Sequence, residues 1–202
     1  MANFPSFLDP PAHLTREHRR YFILMTRGLG VGLLFHASYI ALFFWMGLDT
    51  LAKYNILSVL MYSTAFWLLR RGQIYAPFTL AGLEICSFVA LSVFYLGWES
   101  GAPFLLFIST SVVFIYPFYR WFKVLWVVAI PVEAALLYFS AEKTSWAGSP
   151  SVFAVIHQLN FLSGFGIVVL LGWYLTTLVT KAERSMDAAL AQSEALLNNV
   201  MP

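Results

Sequence analysis

Long apolar runs separated by short polar breaks set the pattern of this chain. Six runs stand out, at 21–47, 54–70, 75–98, 103–119, 121–140 and 152–180. A helix needs about 20 apolar residues to cross the hydrocarbon layer, so each run reads as one membrane-crossing helix, the second and fourth being the shortest. The breaks are brief: Gly47-Leu48-Asp49-Thr50 after the first, Arg70-Arg71-Gly72-Gln73 after the second, Glu99-Ser100-Gly101-Ala102-Pro103 after the third. Nothing between the runs has the makings of a separate soluble domain. The expected fold is all-α: a polytopic membrane protein, with a six-transmembrane-helix bundle and a C-terminal cytoplasmic coiled-coil helix. Its parts would be a cytoplasmic N-terminal segment (1–20), the membrane domain (21–180) and the tail helix (181–202).

Composition agrees with the pattern. Charged residues are 11% of the chain, hydrophobic residues 60%, and the mean hydropathy is +0.74. A soluble domain carries roughly 25% charged residues to cover its surface, so here the missing polar surface points to lipid. A net charge of +2 is too small to suggest a nucleic-acid partner. Cys86 is the only cysteine, which excludes an internal disulfide framework and a cysteine metal cluster. The first twenty residues are polar and proline-rich, and the run after them is too long for the core of a cleavable signal.

Basic residues favour the cytoplasmic side of short loops. With the N-terminus inside, Arg16, Arg19, Arg20, Arg27, Arg70, Arg71, Arg120, Lys123, Lys181 and Arg184 collect on one face, and only Lys53 and Lys143 on the other. Both termini are therefore expected in the cytoplasm, with the bundle in a bacterial inner membrane.

From Lys181 the chain becomes polar and rich in helix formers. Met186, Leu190, Ser193, Leu197 and Val200 follow one another at spacings of 4, 3, 4 and 3, the seam of a two-stranded coiled coil. A helix continuous with the sixth run would carry a rotation or shift across the membrane, and a homodimer is expected through this tail. The ending Leu196-Leu197-Asn198-Asn199-Val200-Met201-Pro202 resembles the signature that closes the signalling helix before class III adenylyl cyclase catalytic domains, with Met201 where leucine is usual. Six helices, a cytoplasmic parallel helix and this ending together resemble the membrane anchor of such a cyclase. The resemblance implies a dimeric parent enzyme that converts ATP to cyclic AMP. Its metal-binding aspartates would lie beyond residue 202, so no catalytic residue is expected in this segment.

Polar groups inside a bilayer are costly and usually functional. His36 sits about eleven residues before the outer end of the first run, and His157 about five residues into the sixth. At ~1.5 Å per residue the two depths differ by roughly 9 Å. Two histidines at similar depth on different helices suit an axially bis-ligated haem, with Phe35, Tyr39, Phe43, Phe44 and Phe161 around it and Gly164 and Gly166 leaving room. Interhelical hydrogen bonding by both histidines is the plain alternative. One group of class III cyclase anchors holds two b-type haems and is proposed to respond to the quinone pool; the resemblance implies two haems b for a chain with four histidines. His13 and His18 would then serve a second iron near the inner face. Being five apart, they cannot both reach one iron from one regular helix. Arg27, with Arg16, Arg19 and Arg20, would pair with propionates, although positive-inside topology explains these arginines equally well.

Glu84 and Glu133 both fall near mid-bilayer, where a carboxylate is expected to be protonated or paired, either in proton exchange with a quinone or haem or in a plain interhelical bond. Two haem-free readings stay open beside the redox sensor: a receptor for a lipophilic ligand, resembling quorum-sensing receptors, and a passive dimerising anchor. An electron-transfer cytochrome is a further class, which the tail helix disfavours.

Overall fold

Thr15 starts the first helix. Its backbone is extended, and its hydroxyl accepts the backbone N–H of His18 at 3.4 Å, which satisfies one of the orphan donors of the first turn. In the computed structural model, which describes residues 10–11, 14–115, 118–140 and 150–200, the elements are α1 (Arg16–Trp45), α2 (Asp49–Arg70), α3 (Tyr75–Leu96), α4 (Leu106–Ile115), α5 (Arg120–Ser140) and α6 (Pro150–Val200). Two short 3-10 turns, Trp98–Ser100 and Ala102–Leu105, lie between α3 and α4. Among the described residues all regular structure is helical.

Among the described residues, four helical stretches are long and apolar enough to cross a membrane: Tyr21–Trp45, Tyr75–Leu96, Arg120–Ser140 and Val152–Ala189. The other two helices each lack one of the two properties. α2 has the length, 22 residues, but Asp49, Lys53, Asn55, Ser58, Ser63 and Thr64 dilute its apolar content. The stretch Ala102–Phe114 is apolar but short. The fourth run therefore differs from its expectation of one helix over 103–119, and the cause is local. Gly101 at φ +77° and Pro103 at the head of the next turn make the chain leave Leu96 in 3-10 turns, so regular α-helix starts only at Leu106. The second run differs the other way: its helix begins at Asp49, not 54, because a carboxylate in the first turn suits the positive end of the helix.

α1, α2 and α3 pack side by side, with α4 and the two 3-10 turns between α3 and α6. α1 and α2 run antiparallel: at one end Arg70 of α2 lies 5.7 Å over the ring of Phe22 of α1, and at the other the α1–α2 turn closes through Leu48 N–H on Phe43 O at 2.8 Å. The helix contact is tight at Gly32, where a Cβ would collide with the Tyr62 ring. Leu42, Trp45 and Met46, late in α1, share a cleft with Val152, Val155 and Ile156, early in α6, so α6 runs antiparallel to α1. Pro131 is carried within α5. α6 is a single helix of 51 residues, about 75 Å at 1.5 Å per residue, more than twice what a bilayer core requires. The expected continuity of the sixth run with the tail is thus present.

Candidate functional site

Two polar clusters sit in the otherwise apolar bundle. The first is built on α2 by spacing alone. Asn55, Ser58 and Tyr62 stand at i, i+3 and i+7, so they share one face, and that face is buried between α1 and α3. Asn55 donates from Nδ2 to Leu51 O at 2.8 Å within its own helix, which leaves Oδ1 as the outward acceptor. His36 of α1 meets it with Nδ1 at 2.7 Å. Nδ1 therefore carries the proton in this contact, since the amide oxygen can only accept. The other ring nitrogen, Nε2, lies 3.3 Å from Glu84 Oε2 of α3, a close polar contact rather than an aligned hydrogen bond. Ser58 Oγ donates to the second carboxyl oxygen, Oε1, and the buried Tyr62 side chain lies within electrostatic range of the carboxyl.

Glu84 is fully buried and His36 nearly so. The imidazole is walled by aromatic rings, with Tyr62 at 5.0 Å and Phe88 at 5.5 Å between centroids. A carboxyl group isolated in lipid would cost several kcal/mol; here it has an imidazole and the Ser58 hydroxyl. Three helices are tied at one point. Glu133, the other mid-run carboxylate, is only half-buried and lies in electrostatic range of Cys86 on α3.

The second cluster joins α6 to the chain between α3 and α4. His157 Nδ1 donates to the carbonyl of Glu99 at 2.7 Å. Three residues on, Asn160 donates from Nδ2 to Ser100 O at 3.0 Å and accepts at Oδ1 from the Tyr39 hydroxyl of α1 at 2.9 Å. Asn160, Tyr39 and Ser100 are all buried. Gly101 is needed here twice over: its φ is positive, and a Cβ would stand 2.9 Å from His157 O.

The two clusters meet through α1. Tyr39 follows His36 by three residues, and Asn160 follows His157 by three on an antiparallel helix. The Tyr39–Asn160 bond therefore stands between the two histidines, which are about 9 Å apart in depth at 1.5 Å per residue. His36 turns to α2 and α3, while His157 turns to the 3-10 turns, beside the Phe104 ring at 6.1 Å.

For iron the two differ. With Nδ1–H fixed on a carbonyl, the His157 ring is oriented and its Nε2 lone pair is the one left for a metal. Both ring nitrogens of His36 are engaged, so iron there would have to replace Glu84 at Nε2. As arranged, the pair does not fit a shared haem. His18 is half-buried in the first turn of α1, and Arg27 is exposed on that helix; His13 lies outside the described residues.

Asn55, Ser58, Tyr62 and Asn160 are the site residues that sequence reading missed. A signal was available: each is a polar residue inside an apolar run, and Asn160 follows His157 at helical spacing. No family model matches the chain, and a search of characterised proteins returns no relative.

Proposed function

We propose that the chain is the membrane-embedded regulatory domain of a signalling enzyme of the class III adenylyl cyclase type, in which α6 is the output helix. The reading takes six passes through a bacterial inner membrane with both termini in the cytoplasm, and a cyclase domain after the tail. One observation carries it. α6 is held near its start to α1 and to the 3-10 turns by His157 and Asn160, then runs unbroken to Val200. A helix fixed at one end and continuous to the other transmits a shift or rotation, because its backbone ladder resists bending over that length. The ending Leu196–Pro202 supplies the expected output.

The latch is the place to test it. Asn160→Leu removes both the Tyr39 and Ser100 bonds while keeping side-chain volume. In the full-length protein, or in the chain joined to a class III catalytic domain, cyclic AMP formation in membranes should change severalfold, with expression unchanged. Activity equal to the parent, in a protein that still folds, would leave a passive anchor.

A second reading has the orientation of His157 in its favour: a b-type haem with His157 as an axial ligand, responding to redox state or to quinone. The visible spectrum decides between it and a haem-free receptor for a lipophilic ligand. If haem is held, His157→Ala should abolish the Soret band, or one component of it, and His36→Ala should leave it, because His36 is spent on Asn55 and Glu84. Loss of the same component in both variants would restore the shared-haem arrangement. No band in either the parent or the haem-supplemented protein would remove haem.

A further inference from the structure

We infer that the dimer seam of the tail does not stop at the membrane surface but continues through the membrane-spanning part of α6, so that α6 meets its counterpart in a second, parallel copy of this chain along most of its length. The inference rests on the output-helix reading above and extends it.

Stepping back from Met186 by alternate threes and fours gives Glu183, then Val179, Thr176, Gly172, Val169, Phe165 and Leu162. Apart from Glu183, whose side chain is not described, each of these is exposed in the single chain, as is Met186. α6 spends its other face on its own chain. Ile156, Asn160, Gly164 and Leu171 are buried, and each stands two residues from a seam position, 158, 162 or 169, which at about 100° per residue is the far side of the helix. α6 packs on α4 and the 3-10 turns. The inward stripe is thus occupied and the outward stripe is open.

Lipid alone would accept any apolar residues on an open face. Two features point to a second copy instead. The register is the tail's own, and a seven-residue repeat kept over many turns marks helices that wrap one another with a left-handed supercoil, not a helix facing a fluid. The seam also carries Gly172 and Thr176 where lipid contact would favour bulk; Leu170 and Trp173, which are large and exposed, flank them. Small residues four apart let two helix backbones approach closely, where packing is the attraction available in a bilayer. Thr176 spends its hydroxyl proton on Gly172 O at 3.0 Å, so it brings no unsatisfied donor to the contact. Past Lys181 the helix leaves the hydrocarbon with apolar residues on the same line, and these need cover from water.

Single cysteines in a Cys86→Ser background test this in membranes holding the full chain. Val169→Cys and Thr176→Cys lie on the seam, Leu170→Cys and Trp173→Cys off it, and Ser193→Cys reports the tail. Disulfide dimers are expected at the seam positions and at Ser193→Cys, severalfold above the off-seam positions, since a disulfide needs Cα atoms within about 7 Å. Crosslinking confined to Ser193→Cys would overturn the membrane seam and leave the output helix standing, with lipid on the outward face. Stronger crosslinking off the seam would also overturn it, and none anywhere would sink both. Gly172→Leu gives an independent readout. No described residue lies within 4 Å of a Cβ at Gly172, so the fold should be spared while the dimer fraction, counted by single-molecule photobleaching, falls severalfold. An unchanged dimer fraction would contradict the seam.

Discussion

Replacing Glu84 with alanine is expected to destabilise the folded chain by about 3 kcal/mol, the low end of what removing one partner of a buried pair costs. The reason lies in what stays behind. His36 keeps Asn55 but loses the carboxyl at Nε2, Ser58 loses its acceptor, and the cavity left between α1, α2 and α3 is lined by groups that water would have to reach. The lower figure is appropriate because polar side chains in a membrane also find partners before the helices assemble. For a chain of this size the midpoint of thermal unfolding in detergent should fall by about 6–12 °C. Glu84→Gln keeps the shape and most hydrogen-bonding capacity and should cost about 1 kcal/mol. Glu133→Ala, removing a carboxylate that is only half-buried, should cost less than either. Equal stability of Glu84→Ala and the parent would mean that the cluster does not tie the three helices.

The cluster also shows where sequence reading stops. Apolar runs located the starts of the six α-helices among the described residues to within five residues, because a buried backbone must bond itself in lipid and helix does so locally, but only four helical stretches there are long and apolar enough to cross a membrane. Run length could not separate α2, whose polar face is packed between α1 and α3, from a lipid-facing span. Nor could it foresee that Gly101 and Pro103 would spend the start of the fourth run in 3-10 turns. For the site, the titratable residues were legible and their partners were not. His36 and His157 were identified as buried polar groups at similar depth, and the 9 Å offset drawn from residue counts agrees with that obtained through Tyr39 and Asn160. Their pairing was not legible, since depth along a helix says nothing of direction around it. His36 lies on the face of α1 turned to Asn55, and that direction is fixed by the close approach at Gly32 and Tyr62. The Asn55–Ser58–Tyr62 spacing pointed to an inward polar face on α2, and it would have supplied a partner for Glu84.

α6 matters most because everything proposed for the chain passes through it. Its start is fixed by His157 and Asn160, its far end carries the 4-3-4-3 spacing from Met186 to Val200, and no break lies between. If rotation or shift of this helix is the signal, the phase between the two ends must matter and the length must not. Two residues inserted after Ala182 turn the tail by about 200° relative to the latch, whereas seven turn it by about 700°, within 20° of two full turns. The measurement is regulated cyclic AMP formation by the full-length protein, or by the chain joined to a class III catalytic domain, in membranes. The seven-residue insertion should keep both the basal rate and its dependence on Asn160, while the two-residue insertion should abolish that dependence. Identical behaviour of the parent and the two insertions would contradict the account, since a tether indifferent to helical phase carries no signal through α6.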